Sequence, residues 1–186
     1  WGERMTHLSC VFDNKMWVMG GQKIVGWSNV KDTAYNDVWS STDGINWTQV
    51  TQHAGWSPRA QIQGEVVFDN KMWVLGGGTY NGVRKFYNDV WNTSDGINWN
   101  LVTANAPWAP RQYHEVAVFD SAIWVMDGYD AVNGNRNDVW YSYNGLDWHN
   151  LRGTPWPPRH AASVFNHDES LWMVAGNLWN DAWRLN

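Results

Sequence analysis

The chain has 186 residues, 44% of them hydrophobic, with 13 basic against 18 acidic side chains and a net charge of −5. With no long run of either sign it lacks the clustered Lys and Arg that a nucleic-acid or anionic-membrane partner requires. No apolar run approaches the ~20 residues of a membrane span, and the chain begins at Trp1 without a signal peptide, as a mature form or an excised piece would.

In chain order, one pattern of elements is met four times. The first copy (4–55) opens with "THLSCVF", turns at Asp13-Asn14, continues as "MWVMG", and after a long loop gives "DVWSS", a turn at Asp43-Gly44 and "NWTQV". Asp-Asn and Asp-Gly favour the tight turns that join antiparallel strands. The second copy (56–107) repeats both turns at Asp69-Asn70 and Asp95-Gly96. The third (108–155) has Asp120-Ser121 and Asn144-Gly145, and the fourth (156–186) runs to "NDAWRLN", after its third strand. No stretch sustains a helical period. Each copy therefore predicts an antiparallel meander of strands A to D, and the predicted fold class is all-β.

The matched phenylalanines Phe12, Phe68, Phe119 and Phe165 are 56, 51 and 46 residues apart, a period typical of propellers and solenoids. Strand B, as in "KMWVMGG", is apolar on both alternating faces and must be covered twice, which radially stacked blades provide. Its closing glycine recurs as Gly21, Gly77, Gly128 and Gly176. The residue before it becomes Asp127 and Ala175 in the later copies, and reads as a less constrained position. In the fourth copy "SVFNHDESLW" reads as a lengthened A–B turn. The lone cysteine, Cys10, excludes an internal disulfide and a multi-cysteine zinc site, and in an apolar strand it reads as packing rather than a nucleophile.

Of 17 tryptophans, all but Trp27 and Trp179 fall at four repeated places: strand B (Trp17, Trp73, Trp124, Trp172), strand C (Trp39, Trp91, Trp140, Trp183), the start of strand D (Trp47, Trp99, Trp148) and the linker before strand A (Trp1, Trp56, Trp108, Trp156). A ring placed identically in every copy is a packing element before it is a ligand platform.

The recurring "R..H", apolar strand, "WV.GG", variable loop, "NDVW" and "DG.NW" resemble the kelch repeat over almost the whole chain, with a second copy "RAQIQGEVVF" that is one residue longer and lacks the His. The resemblance implies a β-propeller of four tandem four-stranded blades, the last without its outer strand, around a channel lined by the A strands. Three arrangements follow: a four-bladed ring, an arc completed by a second chain, or part of a larger ring. The segments "STDGINW" and "TSDGINW" also look like the Asp-box of sialidases, with one residue fewer between Asp and Trp, and are read as convergence on a hairpin.

Function is sought where the copies differ. Between the closing Gly and the Asn of the "ND" pair lie 14, 10, 8 and 3 residues, and these B–C loops share a face with the D–A linkers. Fixed strands with variable loops point to recognition through that face. The ligand-binding candidates are Trp27, Tyr80, Arg84, Tyr129, Arg136 and Trp179, suited to a protein or glycan partner.

Arg4, Arg59, Arg111 and Arg159 precede each strand A and would gather at the channel mouth. There they could grip a carboxylate or, as their recurrence favours, pair with acids and carbonyls of the fold. His7, His114 and His160 read as hydrogen-bonded inner-strand residues, since no metal-ligand spacing accompanies them. The oxygen-rich stretch from Asp127 to Asp138 misses the order of a calcium loop. Asn46 and Asn92 head glycosylation sequons.

No nucleophile with an adjacent base, carboxylate pair or cofactor motif stands out. A galactose-oxidase-like copper site would need a Cys-Tyr crosslink that Cys10 in a strand does not support. The leading reading is a non-catalytic binding propeller that takes no cofactor or metal, with no nucleic-acid or membrane partner. The alternatives are an enzyme acting on an acidic or sugar substrate at the arginine-lined mouth, and a self-assembling subunit. Tryptophan-rich tandem repeats of this kind resemble exported bacterial proteins, and the resemblance implies a chain outside the cell or on its surface, with a cytoplasmic place as the alternative.

Overall fold

The computed structural model describes residues 1–25, 33–61, 64–80 and 84–185. The first repeat supplies β1 (Leu8–Phe12), β2 (Lys15–Met19), the short β3 (Gln22–Lys23) and β4 (Thr33–Ala34), then β5 (Val38–Ser41) and β6 (Thr48–Thr51). The second supplies β7 (Glu65–Phe68), β8 (Lys71–Thr79), β9 (Lys85–Thr93) and β10 (Asn100–Thr103). The third supplies β11 (Arg111–Gln112), β12 (Glu115–Phe119), β13 (Ala122–Met126), β14 (Tyr129–Asp130), β15 (Gly134–Asn135), β16 (Val139–Ser142) and β17 (His149–Leu151). The fourth has β18 (Ser163–His167), β19 (Ser170–Val174) and β20 (Ala182–Leu185). The described residues form an all-β structure.

Strands β1-β2-β5-β6 form one antiparallel sheet, β12-β13-β16-β17 another, and β18-β19-β20 a third of three strands. In the second repeat β7, β8, β9 and β10 follow the same order, but β9 also accepts β11, to which β14 and β15 are added. That sheet therefore has seven strands and crosses into the third repeat. Segments that read as loops from sequence thus carry short strands of their own. They pair because the residues after each repeating arginine offer them an edge, as in Met5 with Gln22, Ala60 with Gly78 and Gln112 with Tyr129.

The A–B hairpins close through two consecutive residues of positive φ: Asp13-Asn14 (49°, 54°), Asp69-Asn70 (48°, 53°), Asp120-Ser121 (47°, 58°) and Asp168-Glu169 (46°, 53°). Such a turn matches the right-handed twist of the flanking strands. The fourth hairpin is not lengthened, contrary to the sequence reading. Phe165 pairs with Trp172 as Cys10 pairs with Trp17, so the phenylalanine has moved two residues along the same strand face while the turn keeps its size.

The position before the closing glycine is also more constrained than its composition suggests. Gly20, Gly76, Asp127 and Ala175 are all left-handed, at φ 56°, 60°, 56° and 60°. For an L-residue this conformation costs about 1–2 kcal/mol. Asp127 offsets it by accepting the Trp156 indole N–H at 2.8 Å, whereas the indole N–H groups of Trp56 and Trp108 are buried without a partner among the described residues.

Consecutive sheets pack face to face, and β1, β7, β12 and β18 lie side by side in that order. The alternation of strand B explains the packing. Trp17 and Met19 meet Met72 and Val74 in one core; Trp73 and Leu75 meet Ile123 and Val125 in the next; Met126 meets Leu171 and Met173 in the last. Three of the linker tryptophans fill the seams between sheets. Trp56, Trp108 and Trp156 are 1–2% exposed, and Trp56 and Trp108 meet Trp99 and Trp148 edge-on at 5.7 and 4.4 Å.

The C–D turns lock onto the preceding sheet. Asp43 accepts the N–H groups of Ile45 and Asn46, and Asp95 those of Ile97 and Asn98, which folds the turn so that the next glycine projects sideways. A methyl group on Gly96 would stand 2.3 Å from the Trp17 ring, and one on Gly145 2.3 Å from Trp73. Both glycines are left-handed, at φ 73° and 74°. Gly96→Ala is therefore expected to cost about 2 kcal/mol in urea unfolding, from overpacking added to backbone strain. Gly153→Ala, also left-handed but with nothing within 4 Å of the new methyl, should cost clearly less. Equal losses would show that the Trp17 contact contributes nothing.

Candidate ligand face

The arginines before the first strands are held by a construction repeated in every copy. Arg4 bonds bidentately to Asp37 (2.6 and 2.9 Å), Arg59 to Asp89 (2.6 and 2.8 Å), Arg111 to Asp138 (2.7 and 2.8 Å) and Arg159 to Asp181 (2.6 and 2.8 Å). Each also donates to the carbonyl at the end of its own strand B, namely Gly20, Gly76, Asp127 and Ala175, and its Nε–H to the carbonyl two residues earlier. Four of five N–H groups per guanidinium are thus committed within the fold.

The same carboxylates accept the indole N–H two residues on, from Trp39, Trp91, Trp140 and Trp183, at 2.7–2.8 Å. Bonding from Arg159, with Trp183 adding to it, holds Asp181 well below the usual carboxylate range. Burial works against ionisation at Asp138, but its bonds to Arg111 outweigh this and hold it low as well. These four arginines serve the framework, with one N–H of each guanidinium outside these bonds.

The asparagine of the first three "ND" pairs ties down the following linker: Asn36 donates to the carbonyls of Ala54 and Trp56, Asn88 to those of Ala106 and Trp108, and Asn137 to that of Trp156. The residue before it shields the arginine. The ring of Tyr35 lies 4.4 Å from the Arg4 guanidinium, Tyr87 4.5 Å from Arg59 and Trp179 5.9 Å from Arg159. Trp179 therefore belongs to a fifth repeated place, obscured in the sequence because its counterparts are tyrosines. The third copy has Arg136 there, drawn to Asp130 and Asp138 at 3.4 and 3.7 Å. Trp27 lies outside the described residues.

Tyr80, Arg84 and Tyr129 are brought together by two residues that the sequence reading did not propose for ligand contact. Tyr113, before β12, sits 5.6 Å from Tyr80 and 5.3 Å from His160, and His160 sits 6.2 Å from Tyr129. Arg84 covers Tyr80 at 5.5 Å, and Phe86 meets Tyr129 at 6.2 Å. The result is a chain of half-buried rings drawn from three repeats, where the B–C strands meet the linkers. The signal for Tyr113 and His160 was their place one or two residues after the repeated arginine, a pair that differs in every copy: Met5-Thr6, Ala60-Gln61, Gln112-Tyr113 and His160-Ala161.

Buried polar groups occupy the same linkers and hairpins. The Gln22 side-chain Oε1 accepts the Tyr80 N–H at 3.2 Å, and the Gln61 side-chain amide lies 2.7 Å from His114 Nε2, which itself donates to the Leu75 carbonyl at 3.0 Å. Desolvation, with Arg111 adding to it, pushes the His114 pKa down to about 3, so its imidazole is neutral. Gln22 Nε2, Gln61 Oε1 and both polar atoms of the Gln112 amide are buried without a partner among the described residues.

No group of His, Cys, Asp or Glu suited to a metal ion occurs among the described residues. The oxygen-rich stretch divides its acids among internal duties: Asp127 to Trp156, Asp138 to Arg111, and Asp130 to the N–H groups of Val132 and Asn133.

No family model matches the sequence. The chain is 26% identical over 191 residues to a leucine-zipper-like transcriptional regulator 1 homolog of Drosophila melanogaster, an alignment that takes in 94% of this chain but 19% of that protein. The chain thus spans about a fifth of that relative's length.

Proposed function

We propose that the chain is a kelch-type β-propeller unit, four tandem blades of which the last lacks its outer strand, and that it recognises a glycan or protein ligand without catalysing a reaction. The kelch reading is supported by the structural use of each repeated residue: the arginine and aspartate pair, the asparagine ties the linker, and the tryptophans fill the seams between sheets. The ligand reading is carried by one observation, the row of Tyr80, Tyr113, His160 and Tyr129 gathered from different repeats on the variable-loop face. Half-buried rings with fixed positions offer large contact area at low entropic cost, and Arg84 beside them adds a charged donor.

The test is an array of neutral and acidic oligosaccharides, together with a panel of immobilised extracellular proteins, probed with the labelled chain and with a Tyr80→Ala/Tyr113→Ala/Tyr129→Ala variant. The variant is expected to lose about tenfold or more in affinity for whatever the parent binds. Retained binding by a folded triple variant would reject this face.

A further inference from the structure

Where the row of rings crosses β11, the fold leaves an amide unused. Gln112 on β11 pairs with Tyr129 on β14, and Tyr129 pairs in turn with Asn135 on β15. Residues directly opposite on paired strands project to one face, so Gln112, Tyr129 and Asn135 form a line across the seven-stranded sheet. On the other side of β11, Arg111 pairs with Tyr87 of β9, which sets Phe86 beside Gln112. Neighbouring strands lie about 4.8 Å apart. The Phe86 and Tyr129 rings stand two strands apart, yet their centroids are only 6.2 Å from each other, so they lean together over Gln112.

That lean leaves Gln112 1% exposed, but nothing answers its polarity: Oε1 and Nε2 are both without a partner among the described residues. Gly78 lies against the amide, and a methyl group there would stand 2.7 Å from Nε2, so the backbone is shaped to keep this side chain in place. Nearby polar groups are likewise half used. Asn135 Oδ1 meets His160 Nδ1 at 2.8 Å, which leaves Asn135 Nδ2 and His160 Nε2 without a bond among the described residues. Gln22, fully buried, gives its Oε1 to the Tyr80 N–H while its Nε2 stays unpaired.

A buried amide with an open donor and an open acceptor destabilises the free protein, a cost that a binding site carries when its ligand supplies the missing partners. The oxygen and nitrogen of one amide match two adjacent hydroxyls, each of which both donates and accepts. An apolar peptide side chain would cover the rings and strand the amides. The site is also nearly uncharged: desolvation lowers the His160 pKa, and it pushes that of Tyr113 up to about 12, so the phenol keeps its proton. Arg84 is the one charged side chain beside the rings, in a chain whose net charge of −5 disfavours polyanions.

We infer that the ligand of this face is a neutral oligosaccharide, one pyranose of which stacks on Tyr129, with one hydroxyl on Asn135 and another passing between the Phe86 and Tyr129 rings to the Gln112 amide. This rests on the recognition reading above and narrows its ligand to one class.

Isothermal titration calorimetry with tetrasaccharides of glucose, galactose, mannose and xylose, and with that of galacturonic acid, tests it. The parent is expected to bind at least one neutral probe with a Kd below about 1 mM, and more tightly than the uronate. Gln112→Met, similar in length but without the amide, should weaken that binding about tenfold while the thermal midpoint holds or rises, because it removes an unmatched group rather than a bond. Asn135→Ala, on the edge strand of the sheet, should weaken binding by a similar factor.

Binding of no neutral probe, or a preference for the uronate, overturns the inference. So does either variant binding as the parent does, or a Gln112→Met chain that melts lower or fails to fold, since the amide would then serve the structure. The two readings fail separately. Capture of an immobilised protein that is lost in the triple tyrosine variant but kept in Gln112→Met overturns the sugar and retains the face, whereas retained binding by the folded triple variant rejects the face itself.

Discussion

Asp89→Ala is expected to destabilise the chain by about 3–5 kcal/mol, because it leaves the Arg59 guanidinium charged, buried and unpaired. The Arg59 side chain has no solvent exposure, and the Asp89 side chain is only 16% exposed, so water replaces the carboxylate only in part. Two of its donors lose their acceptor, and the Trp91 indole N–H loses its own.

The double variant Arg59→Met/Asp89→Leu should recover more than half of the loss, since an apolar pair of similar volume removes the orphaned charge. About 1–2 kcal/mol remains for the unmet Gly76 carbonyl and Trp91 N–H. Asp181→Ala should be milder, because the Asp181 side chain is 27% exposed and water reaches its place. Urea unfolding of the three variants and the parent decides this. A double variant no better than Asp89→Ala would mean that the cost lies in lost hydrogen bonds rather than in the isolated charge.

The repeat, the all-β class and the packing duty of the tryptophans could be read from sequence because each is a side chain returning to a fixed place. What could not be read depends on geometry that different residues share. Trp179, Tyr35 and Tyr87 differ in identity but cover the same arginine position, so a search by residue type separated them. The opposite error arose at Phe165, where matching by type suggested a longer turn while the strand pairing kept its register.

Residues before the closing glycines changed type without changing conformation, because neighbouring hydrogen bonds fix the backbone at Asp127 and Ala175: the N–H of each donates to the carbonyl of Asp138 or Asp181. The ligand face was half legible. Tyr80, Arg84 and Tyr129 were signalled by loop variation, whereas Tyr113 and His160 reach them only because the linkers pair with the B–C strands.

Glu65→Gln is expected to leave stability unchanged near pH 4.5 and to raise it near pH 8 by about 3 kcal/mol. Desolvation pushes the Glu65 pKa up to about 7, against the opposing bond from the Ser9 N–H at 3.1 Å, and its Oε2 is buried without a partner among the described residues. Below the ordinary value of 4.5 both folded and unfolded chains hold the proton, so the folded carboxyl costs nothing extra. As pH rises, the unfolded chain releases the proton first, and stability falls until the folded carboxyl ionises near 7. At about 1.4 kcal/mol per pH unit over that window, the loss is about 3 kcal/mol.

Glutamine keeps an oxygen for the Ser9 N–H and has no proton to lose, so the variant escapes the decline. Glu115→Gln should act in the same direction: burial, with Asp127 nearby adding to it, holds the Glu115 carboxyl protonated well above its usual range while it accepts the Ala162 N–H.

His114 works the other way. Its lowered pKa stabilises the fold above about 6.5 and forfeits that stability as pH falls toward about 3, because the unfolded imidazole takes up a proton that the folded one refuses. Comparing each variant with the parent at every pH cancels the His114 contribution, so the difference isolates the carboxyl. Unfolding free energies at half-unit steps from pH 4 to 8 would give this curve. A Glu65→Gln difference that is flat with pH would place that carboxylate in water rather than between β1 and β7.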